Sequence, residues 1–188
     1  MSKTNLKAFD YEKVAKLDTA MWQSYRSSDS KFLLLFPQAF ILIKYQLRFS
    51  WLATFKLAYY AGRAAFAYRL RKSNENYTLA EKNLVKLFQT VSINCMTPFD
   101  FKKAAKLELE WWDIERYPEQ HTKTLSQTMN ENMATVYGVS PSTIEGYGLN
   151  RARAIRLLER RELTKTNVKM ASSLLTEAWQ ALHKGLSN

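Results

Sequence analysis

Hydrophobic positions recur every three or four residues through most of this chain, and no stretch sustains the period of two that a half-buried strand needs. Start and stop signals cut the pattern into about eight helical segments. The first covers about residues 10–26 and ends in the polar cluster Ser27, Ser28, Asp29, Ser30. A second, about 37–49, leads almost directly into a third at 51–72. After Ser73, Asn74, Glu75 and Asn76, the run Thr78, Leu79, Ala80, Glu81 reads as a capping box opening a fourth. Thr97, Pro98, Phe99, Asp100 reads as another start, with proline at the first helical position, for a fifth that reaches about residue 117. The sixth, about 122–137, stops at Gly138 as a left-handed cap, and Ser140 with Pro141 opens a seventh that continues to about 161. The eighth, about 167–184, carries Val168, Ala171, Leu175, Ala178 and Leu182 on one face. The expected architecture is all-α, a helical bundle spanning 1–188 as a single domain.

Within these helices several ionisable side chains fall in the middle of apolar stripes when residues are placed about 100° apart. Asp18 sits at the centre of the face made by Tyr11, Val14, Leu17, Met21, Trp22 and Tyr25. Glu108 shares a face with Phe101, Ala104, Ala105, Trp111 and Trp112, and Glu115 follows two turns later, while Glu110 and Asp113 are expected in solvent. Arg63 is ringed by Leu52, Phe55, Tyr59, Phe66 and Leu70, and Arg151 by Ile144, Tyr147, Ile155 and Leu158. An unpaired buried charge costs several kcal/mol or changes its protonation state, so these groups are expected to meet. The expectation is an internal cluster of Asp18, Arg63, Glu108, Glu115 and Arg151, with the phenols of Tyr25, Tyr59 and Tyr147 adding hydrogen bonds. Such a cluster would either bind a small polar or anionic ligand, with Glu108 as acid or base, or form a closed network that fixes helix register.

Composition changes this picture little. Five Gly and four Pro against ten Tyr, ten Phe and five Trp suit helices with short connections, and the lone Cys95 excludes a disulfide framework and reads as a small core residue. The two histidines, His121 and His183, do not follow a glutamate at the three-residue spacing of di-iron bundles, so no metal or other cofactor is expected. GxSxG, P-loop, GxGxxG and CxxC patterns are missing from the sequence, which removes support for the common hydrolase, nucleotide-binding and redox chemistries. The amino terminus lacks the apolar core of a secretory signal and the longest apolar run, 32–43, contains Pro37 and Gln38, so the default expectation is a cytoplasmic protein. Oligomeric state is not legible.

Charge opens two alternatives. With 28 basic and 17 acidic side chains the net charge is +11, which favours polyanions as partners. Ala134, Gly138 and Ile144 occupy the small, turn and apolar positions of a stretch that resembles a helix-turn-helix signature, and the helix after it carries Arg151, Arg153, Arg156, Arg160 and Arg161, so the resemblance implies DNA binding through about 125–158. The would-be recognition helix starts with Glu145, Gly146 and Gly148, which offer few donors to phosphates or base edges. Separately, residues 31–72 hold eight basic side chains, eleven aromatics and no carboxylate. That segment fits either an anionic membrane surface or a buried hairpin whose lysines and arginines reach out to water.

Overall fold

The computed structural model describes residues 3–27, 31–70, 74–159 and 163–187, the side chains of 25–27 and 31–35 excepted. Among these residues there are eight α-helices: α1 (Tyr11–Ser27), α2 (Lys31–Leu47), α3 (Trp51–Arg69), α4 (Asn74–Asn94), α5 (Phe101–Arg116), α6 (Leu125–Tyr137), α7 (Glu145–Leu158) and α8 (Lys165–Ser187). The expected all-α bundle is what the chain forms. Arg160 and Arg161, Arg71 and Lys72, and the centre of the 27–30 break lie outside the described residues.

Local chemistry sets the helix ends, in places differently from the sequence expectation. Asp10 starts α1 by accepting the Lys13 N–H at 3.0 Å. Pro37 lies inside α2, where it removes one rung of the hydrogen-bond ladder without opening the helix. Thr78 is no cap: α4 already begins at Asn74, and the Thr78 hydroxyl donates back to the Asn74 carbonyl at 2.9 Å. Nor do Thr97 and Pro98 open α5. Asp100 does, accepting the Lys102 and Lys103 N–H groups at 3.1 and 3.0 Å, and its carboxylate is also the better complement to the positive end of the helix. Gly138 caps α6 at φ 66, as its position predicts, and Pro141–Ile144 is a 3-10 turn before α7.

Each helix packs on the one before and the one after it in sequence, and α8 packs on α1, so the eight close into a ring. The α6–α7 joint is closed by a backbone-to-side-chain clamp. The Gly148 N–H donates to Asn130 Oδ1 at 2.7 Å and Asn130 Nδ2 donates to the Glu145 carbonyl at 3.2 Å. A β-carbon on Gly148 would stand 2.2 Å from the Ser126 carbonyl oxygen, so glycine alone permits this approach. Leading into the ring, Thr4 pairs with the chain on either side of Cys95, whose thiol is buried in the core.

The largest departure concerns α3. Its buried face is Thr54, Leu57, Ala58, Gly62, Ala64, Ala67 and Tyr68, whereas the stripe of Leu52, Phe55, Tyr59, Phe66 and Leu70 faces outward and takes Arg63 with it. Small residues let α3 approach its neighbours closely, and that packing prevails over the burial of the larger rings.

Candidate functional site

Closing a ring of helices leaves an axis to fill, and the side chains do not fill it completely. A cavity of about 210 Å³ is lined by at least one residue from every helix: Met21, Leu42, Leu57 and Phe88 from the first four, then Glu108, Asn132, Arg151 and Trp179. A second, of about 230 Å³, lies against α1, α2, α3, α5 and α7 and shares Met21, Glu108, Trp111 and Arg151 with the first. Each exceeds the roughly 150 Å³ apolar cavity that admits a benzene-sized guest. Most of the lining is apolar, and the polar groups are few.

Asp18 and Arg151 meet as expected. Asp18 is fully buried and accepts from both guanidinium nitrogens of Arg151, with Nη2 to Oδ1 at 3.3 Å, and from Trp179 Nε1 at 2.9 Å. Burial works against the Arg151 charge, but Asp18, Tyr147 and Glu108 together more than offset it, and the Arg151 pKa stands above the usual value. The guanidinium also lies 5.8 Å from the Tyr147 ring and 5.6 Å from the Trp179 ring, and those two rings meet edge-on at 5.4 Å. Burial pushes the Tyr147 phenol up, so it stays neutral. This group ties α1, α7 and α8 together.

Glu108 is half-buried and lines both cavities. Burial raises its pKa, against the opposing pull of the Trp111 indole, the Arg151 charge and the Trp112 indole. Glu115 lines the second cavity, where burial and a carboxyl neighbour, Glu159, push it up to about 9. Tyr25 belongs to the last turns of α1, and its side chain lies outside the described residues.

Arg63 and Tyr59 do not join. Both are exposed on α3, where Arg63 donates to the Tyr59 hydroxyl at 3.0 Å. The predicted five-membered cluster therefore reduces to the Asp18–Arg151 pair, with Glu108 beside it and Glu115 in the lining of the adjoining cavity.

Two polar residues escaped the sequence reading. Asp113, expected in solvent, is buried and accepts from the hydroxyls of Tyr68 and Tyr77 at 2.9 and 2.8 Å. Its neighbour one turn back on the helix surface, Leu109, is a core residue, a signal of a second buried edge on α5. Asn132, only 1% exposed, donates from Nδ2 to the Ala104 carbonyl at 2.8 Å, while its Oδ1 has no hydrogen-bond partner among the described residues. It lines the first cavity.

The helix-turn-helix corner exists as a helix, a tight turn and a helix, but α7 turns Arg151 inward and leaves Glu145, Arg153 and Arg156 exposed. No group of three or more His, Cys, Asp or Glu is placed to hold a metal among the described residues. Compared with protein-family models, curated proteins and solved structures, the chain matches none of them.

Proposed function

We propose that the ring binds a small molecule with an apolar body and a neutral polar end, held in the chamber around Glu108. The observation that carries this reading is Asn132: a buried acceptor without a partner among the described residues, in the wall of a cavity large enough for a guest. Leaving such an acceptor unmet costs about 1–3 kcal/mol, which a donor on the ligand would recover. Burial biases the Glu108 carboxyl toward its protonated form, in which it both donates and accepts, and it lines the same cavity as Asn132, so a hydroxyl or amide suits this lining. An anion is less suited, because the Arg151 charge is already matched by Asp18 and Arg63 is outside. The same raised pKa equips Glu108 as a general acid if the bound molecule reacts.

The test uses 1-hexanol and hexanoate as probes, followed by NMR of the indole N–H signals. Hexanol should shift the Trp111 and Trp179 signals, which belong to the cavity walls, and leave the exposed Trp51 unmoved. Hexanoate should shift them less at equal concentration. Met133→Trp, which fills the first cavity, should abolish the response, and Glu108→Leu should weaken the binding of hexanol whereas Glu108→Gln, which still donates and accepts, should retain it. Equal shifts of all indoles, or an unchanged response in the filled variant, would sink the reading.

A further inference from the structure

The outward face of α3 is a second feature, independent of the chamber. Trp51, Leu52, Phe55, Tyr59, Phe66 and Leu70 fall within one side of the helix, in an arc that about 100° per residue makes continuous. Trp51 is 66% exposed and Leu52 62%. The patch extends onto α2, since Trp51 stacks on Phe40 and Phe55 meets Phe36 edge-on, both with ring centroids 5.6 Å apart. Contiguous exposed apolar surface of this kind marks an interaction site in a folded protein.

Its charge says what covers it. Lys56, Arg63 and Arg69 are exposed on the same helix, Arg48 stands at the α2–α3 corner, and Lys44 Nζ lies 5.0 Å from the centre of the Trp51 ring. No acidic residue occurs anywhere from 31 to 72. A second copy of the chain would set these cations against their own kind, and an ordinary protein partner would have to supply apolar and acidic surface together. An anionic bilayer supplies both over an unlimited area. We propose that this face docks on an anionic lipid surface, with Trp51, Leu52, Phe55 and Phe66 in the headgroup boundary and Lys56, Arg63 and Arg69 on lipid phosphates. Among the described residues no helix is long and apolar enough to cross a membrane, so the docking is peripheral.

Cosedimentation with phosphatidylglycerol–phosphatidylcholine vesicles tests it. The protein should sediment with them at low salt, be released at high salt, and ignore vesicles of phosphatidylcholine alone. Trp51→Ser with Phe55→Ser should weaken binding at least about tenfold while lowering thermal melting only slightly, because more than half of each residue is already exposed and each meets one ring of α2. Lys56→Glu with Arg63→Glu should weaken it far more than Lys165→Glu with Lys169→Glu, an equal charge change on the exposed side of α8. Equal losses in the two charge pairs would reduce the effect to net charge and overturn the proposal. So would the absence of vesicle binding at low salt, a preference for single-stranded nucleic acid over vesicles, or a dimer that Phe55→Ser dissociates.

Discussion

The buried Asp18 carboxylate has its oxygens met by three N–H groups that converge on it from α7 and α8. Removing one partner of such a pair strands the other, at about 3–5 kcal/mol. Asp18→Asn should therefore cost that much in urea denaturation, and adding Arg151→Met should recover most of it; no recovery would mean that the pair contributes more than mutual compensation. Glu115 makes the opposite contribution. Its carboxyl rises to about 9 in the folded protein, so the folded state binds more protons than the unfolded one from the ordinary glutamate range up to that value. Stability contributed at this position must fall as pH climbs through the window. Glu115→Gln removes the titration and keeps a donor toward Glu159. The variant should melt above the wild type at about pH 8 and lose that advantage below about pH 4. Parallel melting curves for the two proteins would show that the Glu115–Glu159 contact does not form in solution.

Among the helices, two glycines that look alike in the sequence do different work. Gly138 supplies a left-handed backbone with open space around it, so Gly138→Ala should cost about 1–2 kcal/mol in denaturant unfolding. Gly148 supplies clearance, and Gly148→Ala should cost about 3 kcal/mol or more, since the obstacle is the backbone of α6 rather than a side chain that can move. The reverse order would contradict the α6–α7 register. Periodicity showed that these helices exist and nearly where they lie. It misplaced the starts of α4 and α5 because Thr78, Thr97 and Asp100 all offer oxygens, and only the folded backbone decides which one meets a free N–H. It also misread the direction of α3, which is apolar on two sides. A stripe of large rings and a stripe of Ala58, Gly62, Ala64 and Ala67 have the same period, and close packing, which sequence spacing does not report, selected the small one.

For the molecule as a whole, the candidate site was half legible. The Asp18–Arg151 meeting and the inward placement of Glu108 followed from charges in mid-stripe. Arg63 failed with its helix, and Asn132 was passed over because a neutral amide among Thr128, Met129 and Val136 raises no alarm about charge. The chamber itself could not be read from any one helix, because it is made by all eight.

Seven of the eight joints in the ring join helices that follow one another along the chain, held together by a short connection whatever their side chains do. The joint between α1 and α8 has no such tether. It behaves as the clasp of a hoop, fastened by Asp18 on one side and Arg151 and Trp179 on the other. Amide exchange should show it: loosening the clasp with Asp18→Asn should speed exchange in α1 and α8 well before α4 and α5 respond. During synthesis the hoop stays open until the ribosome has released Trp179, so the interior takes shape only after α8 has been made, and until then its walls stand apart as an open mouth.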